Sequence, residues 1–325
     1  MDFRRRGLSL LLVGALGLAL SSCSDGAGDA SSESPTGSAR ASSTPPPDAV
    51  RTEDLPATTA PTENLVPSDL ASIVDDYNAK AKRRLDHLRG ADVSWPQCPE
   101  GVGIPEKRGQ GQPMPLETAQ FVIIGLTNSP SFTRNPCLAD QVAWVRDRKL
   151  LAAAYAIVSY PDAATLEKLS DEGPYDGSTR LGALKNVGYQ SALFNLVTMS
   201  DAGLESPIVW LDVEPVPLFE WSNDKQANAA VVEGAVRGYG DRGVRVGFYS
   251  LPSMWSRIVG DLAFDAPEWR PAGITSESAA RARCGAEWSF QGGDAVFGQW
   301  VQDSRDVNVT CPGVRLQPDR WFHKF

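Results

Sequence analysis

Six short apolar runs separated by helical patterns restrict this chain more than any other feature. "GADVS" (90–94), "FVIIGL" (121–126), "LLAAAYAIV" (150–158), "IVWLDVE" (208–214), "VRVGFYS" (244–250) and "VFGQWVQ" (296–302) read as strands. "CLADQVAWVRDRK" (137–149), "RLGALKNVGYQSALFNLVTMSDAG" (180–203), "NDKQANAAVVEGAVRGYGDRG" (223–243) and "LPSMWSRIVG" (251–260) carry apolar residues at helical spacing. Strands alternating with helices predict an α/β fold with a mostly parallel sheet. Periodicity alone admits both a closed barrel and an open, doubly wound sheet.

In parallel α/β folds the site lies at the C-terminal ends of the strands. Polar groups gather there in this chain: Asp92, Tyr155, Asp212, Glu214 and Tyr249, with Asp306 and Asn308 just past the last run. Strand side chains alternate, so Asp212 and Glu214 share one face while Leu211 and Val213 share the other. Two like charges at the end of a buried strand are destabilising unless they have a partner or a function. Ion pairing with arginines along a structural cleft is one reading. Glycoside hydrolysis is the other: one carboxyl protonates the leaving oxygen and a second stabilises the cationic sugar. Residues two apart on a strand have backbones roughly 6.6–6.8 Å apart. Acid and nucleophile carboxyls of ordinary retaining enzymes lie roughly 5–5.5 Å apart. The wider spacing leans toward a substrate-assisted route, in which one carboxylate positions the sugar's own acetamido group. Of the 9 tryptophans, Trp95, Trp210, Trp255 and Trp300 fall near strand ends, where an indole stacks on a sugar or packs in the core; Trp144 belongs to a helical pattern.

Taken in order, "ADVSWPQ" (91–97), "FVIIGLTNSPSF" (121–132), "AAAYA" (152–156), "WLDVEP" (210–215), "GFYS" (247–250) and "GQW…DVN" (298–308) resemble the motifs of the GH25 lysozyme (muramidase) family. The resemblance spans about residues 88–312. It implies an irregular (β/α)8 TIM-like barrel and cleavage of the β-1,4 bond after N-acetylmuramic acid in peptidoglycan. It implies that Glu214 is the general acid, that Asp212 orients the acetamido group, and that Asp92 and Asp306 are supporting carboxylates. The same motifs supply a substrate-binding set: Gln97, Tyr155, Tyr249, Trp95, Gln299, Trp300 and Asn308. Three departures stand beside it. Gly125-Leu126-Thr127-Asn128 replaces a Lys-Ala-Thr-Glu-like segment, Ala156 replaces the histidine after Tyr155, and Gly298 replaces an aromatic residue before Gln299. The central carboxylates match and the rim does not, which leaves the glycan more open than the reaction class. A non-catalytic glycan-binding or scaffolding module on the same barrel is the alternative, and a hydrolase for another polysaccharide a third reading.

The N-terminal "MDFRRRGLSLLLVGALGLALSSCSDG" has a basic start, an apolar run and small residues, the pattern of a secretory signal over residues 1–22. Leu20-Ser21-Ser22-Cys23 resembles the bacterial lipobox, which implies lipidation at Cys23. Arg4–Arg6 hint at twin-arginine export, but Gly7 and Ser9 weaken that pattern. Residues 23–65 are rich in Ser, Thr, Pro and Ala and read as a disordered tether. Residues 66–89 read as an amphipathic lead-in helix with Leu70, Ile73, Val74, Tyr77, Leu85 and Leu88 at helical spacing, and residues 90–325 as the barrel domain. The expectation is an exported monomer, lipid-anchored on the outer face of the bacterial cell membrane and touching that membrane only through the anchor.

Four of the 5 cysteines remain beyond Cys23, and an even number in an exported domain predicts two disulfides. Three pairings are open; the more local choice, Cys98–Cys137 with Cys284–Cys311, is preferred. No clustered His/Cys set occurs, so no metal and no cofactor are expected. With 2 histidines and no GxSxG, a Ser–His–Asp triad is disfavoured. "GYGDRG" (238–243) fits GxGxxG but follows a helical pattern and precedes a strand, the reverse of a dinucleotide fingerprint. A net charge of −9 argues against nucleic acid and against simple attraction to acidic wall polymers, leaving stacking and hydrogen bonds to grip a peptidoglycan or other N-acetylated glycan partner.

Overall fold

The computed structural model describes residue 70 and residues 72–77, 87–128 and 130–325. The signal, Cys23 and the tether lie outside the described residues. Eight strands close into a barrel: β1 (Arg89–Val93), β4 (Phe121–Gly125), β5 (Leu151–Ile157), β6 (Ile208–Asp212), β7 (Arg245–Tyr249), β8 (Glu268–Pro271), β9 (Ala295–Gln302) and β10 (Arg305–Thr310). Their order around the barrel is β1-β10-β9-β8-β7-β6-β5-β4. β2 (Gly103–Ile104) and β3 (Lys107–Arg108) form a separate small hairpin between β1 and β4.

Helices α1 (Leu138–Asp147), α2 (Ala163–Leu169), α3 (Arg180–Asp201), α4 (Lys225–Gly240), α5 (Pro252–Val259) and α6 (Glu277–Ala282) fill the parallel crossovers from β4 to β9. Two features make the barrel irregular. The hairpin stands where a helix would join β1 to β4, and β10 runs antiparallel to both its neighbours. β10 follows β9 through a two-residue turn, Asp303-Ser304, with φ of 51° and 57°. Both central residues in the left-handed region is the type I′ geometry that matches strand twist.

Alternation along the strands sorts side chains into two layers. Phe121, Ile123, Ala153, Tyr155, Ile157, Trp210 and Phe297 fill the barrel interior. Val122, Ile124, Ala154, Ala156, Val209, Leu211 and Val213 face the helices. Helix starts follow their capping residues: the side chains of Asp162, Thr179, Asp224 and Ser276 accept from the backbone N–H groups of Thr165, Gly182, Gln226 and Ala279. The two disulfides are Cys98–Cys137 and Cys284–Cys311, the local pairing.

Several elements differ from the sequence reading. β8, β10, α2 and α6 come from segments not assigned there. The lead-in helix is helical at residue 70 and at 72–77, with Leu70, Ile73, Val74 and Tyr77 exposed. It does not reach residue 89. Leu88 is buried in the barrel interior, its N–H donates to Thr310 Oγ1 (2.9 Å), and Arg89 already belongs to β1. Pairing with β10 takes the backbone there before a helix can. "GYGDRG" ends α4 and turns into β7, with Gly243 at φ 71°.

Candidate active site

The C-terminal ends of the parallel strands, together with the start of the antiparallel β10, surround a cavity of about 220 Å³. Of the residues singled out in the sequence, Asp92, Trp95, Tyr155, Asp212, Glu214, Tyr249, Gln299 and Asp306 line it. The structure adds Ser94, Pro96, Ile157 and Trp269. Trp269 is the large omission: its buried indole meets Tyr249 edge-on at 4.6 Å and Tyr155 at 5.8 Å between ring centroids.

Strand register explains how the carboxyls converge. Asp92 on β1 lies directly opposite Asp306 on the antiparallel β10, a placement that is repulsive when both are charged. Asp212 is the last residue of β6, and the backbone beyond it is fixed on both sides. Val158 N–H donates to Asp212 O (3.0 Å), Val213 N–H to Tyr249 O (3.0 Å), and the Trp221 indole N–H to Glu214 O (2.8 Å). Glu214 is therefore held in a defined turn, not at a frayed strand end.

A hydrogen-bonded chain crosses the cavity wall. Tyr249 donates its hydroxyl to Gln299 Oε1 (2.8 Å), and Gln299 Nε2 donates to Asp92 Oδ1 (2.8 Å). The same oxygen accepts from Asn308 Nδ2 (2.6 Å), whose own Oδ1 accepts from Trp269 Nε1 (2.7 Å). Asp212 is different: its Oδ1 is buried and has no hydrogen-bond partner. An unpaired acceptor at that depth is unfavourable by itself, and it is available to a donor from outside.

Burial and mutual repulsion raise the proton affinity of every carboxyl here. Glu214 is pushed up to about 7, mainly by burial and then by Asp306, with Lys107 opposing. Asp306 is raised to about 6 by burial. Asp92 is raised by burial and by Asp306, and Asp212 by burial, Glu214 and Asp92. A carboxyl that still holds its proton near neutral pH can act as a general acid. Among the described residues, no group of three or more His, Cys, Asp or Glu is placed to hold a metal ion.

Three candidates do not line the cavity. Gln97 accepts from Ser94 N–H (2.8 Å) and donates to Gln112 Oε1 (3.3 Å), closing the short 3-10 turn at 95–97. Trp300 sits on the outer face of β9, one residue out of phase with Gln299, and packs with Ala280, Val307 and Val309. Asn308 is fully buried behind Asp92. Trp210 and Trp255, both fully buried, are core residues.

Two of the departures at the rim coincide with close packing. A Cβ on Gly125 would lie 2.7 Å from Ser94 Cβ and 2.9 Å from the Tyr155 ring, so Tyr155 occupies the room a longer side chain needs. A Cβ on Gly298 would lie 2.0 Å from Ala280 O, because α6 rests directly on β9. Ala156 is buried in the layer between barrel and helices, away from the cavity.

The chain was compared with known proteins. A profile of the family described as "Lysozyme-like protein 1" matches residues 185–269, the segment carrying Asp212, Glu214, Tyr249 and Trp269. The chain is 40% identical over 53 residues to the "Probable GH family 25 lysozyme 4" of Dictyostelium discoideum, a match covering 16% of this chain and 24% of that protein. It thus spans about a quarter of that relative's length. Among solved structures it is similar to a muramidase from Acremonium alcalophilum, with a TM-score of 0.45 and 16% identity over 72% of this chain and 98% of that one. Similarity to a family GH25 lysozyme from Aspergillus fumigatus gives a TM-score of 0.44 and 16% identity over 72% and 99% of the two chains.

Proposed function

We propose that this protein is a glycoside hydrolase of the GH25 lysozyme type, cleaving β-1,4 bonds in peptidoglycan or a related N-acetylated glycan. The observation that carries the reading is the pairing of Glu214, which keeps its proton up to about pH 7, with a buried Asp212 oxygen that has no partner. The sequence matches to lysozyme-like proteins, one of them across residues 185–269, support it.

In the first step Glu214 gives its proton to the glycosidic oxygen as the bond to the anomeric carbon breaks. Asp212 Oδ1 accepts the acetamido N–H, and the acetamido oxygen bonds to the anomeric carbon as the leaving sugar departs. Glu214, now a carboxylate, takes a proton from water; the hydroxide attacks the same carbon and the acetamido group is released. Atoms and charge balance, and the anomeric configuration is retained. Asp306 adds negative potential to the cationic sugar, and Asp92 is held in place by Gln299 and Asn308. Trp95 supplies a flat apolar face for a sugar ring, and the buried Trp269 backs the cavity wall.

The test is to incubate the detergent-solubilised full chain with purified peptidoglycan, measure new reducing ends and identify fragments by mass spectrometry. Fragments ending in reducing N-acetylmuramic acid are expected, with Glu214→Gln slower by about 10²–10⁴-fold. Tight glycan retention without reducing ends overturns catalysis and leaves a binding cleft. We also place the protein on the outer face of a bacterial membrane, anchored through a lipid on Cys23, on the strength of the Leu20–Cys23 motif. Labelled fatty acid incorporated by the native chain and not by Cys23→Ala is the expected result.

A further inference from the structure

The cavity wall holds four carboxyls and no cationic side chain: its lining contains no lysine, arginine or histidine. Among the described residues, the positive charge that acts on Glu214 comes from outside the barrel, from Lys107 on the β2–β3 hairpin. That hairpin is the insertion that replaces a crossover helix, and it is firmly tied. Cys98 at its base is bonded to Cys137 at the start of α1. Gln110 and Gln112 N–H groups both donate to Pro96 O (3.1 and 3.0 Å), and Gly111 N–H donates to Cys98 O (2.9 Å). At the far end, the fully buried Asn128 donates from Nδ2 to Lys107 O (3.1 Å). The backbone of Lys107 is thereby fixed to the end of β4.

Its side chain has a partner on the cavity wall. The half-buried Lys107 places Nζ 5.6 Å from the centre of the Trp95 ring, within reach of a cation–π contact. Trp95 and Glu214 line the same cavity. The ammonium and the Glu214 carboxyl each act on the other's charge.

We infer that Lys107 is a positioning residue of this site, holding its ammonium over Trp95 at the cavity wall, from where its charge favours the carboxylate form of Glu214. The groups facing Glu214 are Asp212 on β6, Asp306 on β10, Asp92 on β1, Tyr249 on β7 and Tyr155 on β5, all acidic or neutral. Against that set, Lys107 is the counterweight. Without it, burial and Asp306 together keep Glu214 protonated to higher pH, and the step in which the Glu214 carboxylate must activate water is impaired at neutral pH. With it, both protonation states are accessible near pH 7. The catalytic half of this inference rests on Glu214 being the acid of the proposed hydrolase; the electrostatic half does not.

The experiment therefore reads Glu214 itself. The full chain carries ¹³C-labelled glutamate, and the Glu214 carboxyl signal, identified by its loss in Glu214→Gln, is titrated in the wild type, Lys107→Met, Lys107→Gln and Lys107→Arg. No substrate is needed. The midpoint is expected to rise by about half to one pH unit in the Met and Gln variants and to stay near the wild-type value in Lys107→Arg. An unmoved midpoint in both neutral variants overturns the inference, as does an equal rise in Lys107→Arg, which would mark a packing effect. If reducing ends are released, the alkaline limb of kcat/KM moves up with the midpoint in Lys107→Met. A moved midpoint in a chain that releases none leaves the Lys107–Glu214 coupling standing and removes the hydrolase.

Discussion

Asp92 takes two hydrogen bonds on one oxygen, and Asn308 both gives one of them and receives the Trp269 indole N–H. This single amide therefore orients a carboxyl and the indole at the cavity floor. Asn308→Ala leaves the Trp269 N–H unpartnered in a site where Asn308 is fully buried, and buried groups left unpaired lose about 1–3 kcal/mol each. We expect the unfolding free energy to fall by that order, read from a lower urea midpoint, with a lower kcat for the proposed hydrolysis, because Asp92 and Trp269 lose their shared reference. A variant as stable and as active as wild type defeats the argument. Asp92 was legible from strand-end chemistry; the place of Asn308 behind it, inside β10, and Trp269 were not. Trp269 sits in Glu268-Trp-Arg-Pro271, where charges at alternate positions look like a solvent face. Glu268 and Arg270 are in fact buried and paired at 2.7 Å, and Glu268 also accepts from the backbone N–H groups of Phe290, Gln291 and Gly293. A sequence displays the charge and hides the partner.

At the scale of elements, α3 and α4 approach each other through glycine. A Cβ on Gly234 would lie 1.9 Å from Lys185 O, and one on Gly188 would lie 2.0 Å from Val231 O. In an isolated helix Gly→Ala gains about 1 kcal/mol. Here the incoming methyl meets backbone, which cannot rotate aside, and overpacking of this kind loses about 1–3 kcal/mol. Gly234→Ala is therefore expected to lower the Tm, whereas Gly240→Ala, with nothing within 4 Å, leaves it unchanged or raises it. A Tm raised by both substitutions sinks the close-packing account. These two helices were the easiest elements to read, since long periodic segments average out local ambiguity. α6 and β10 were not readable in that way. α6 is six residues long, and β10 depends on an Asp-Ser type I′ turn, a weaker signal than Asn-Gly. The hairpin that carries Lys107 has two residues per strand and no apolar alternation, so only the fold reveals what it reaches.

For the whole molecule, the cavity is a reservoir of pH-dependent instability. Glu214 and Asp306 bind protons more tightly folded than unfolded, at about 7 and about 6, and Asp92 and Asp212 are shifted in the same direction. Groups raised in this way stabilise the fold fully below their unfolded pKa of about 4, and that contribution is lost as pH climbs through the folded values. Helix-capping carboxylates act oppositely. Asp162 and Asp224 are held below the usual range, by hydrogen bonds from Thr165 and from Arg180 respectively, so their contribution disappears as pH falls. The Tm should therefore peak in the mildly acidic range and decline toward pH 8. Glu214→Gln removes one of the groups responsible for the alkaline decline and should stabilise the chain at pH 8 by on the order of 2 kcal/mol, a few degrees in Tm. At pH 4, where wild-type Glu214 is already neutral, the substitution should change little. Calorimetry of both proteins at the two pH values decides the matter: an equal gain at pH 4 and pH 8 means the glutamine packs better, and the buried charge is then not the source of the instability.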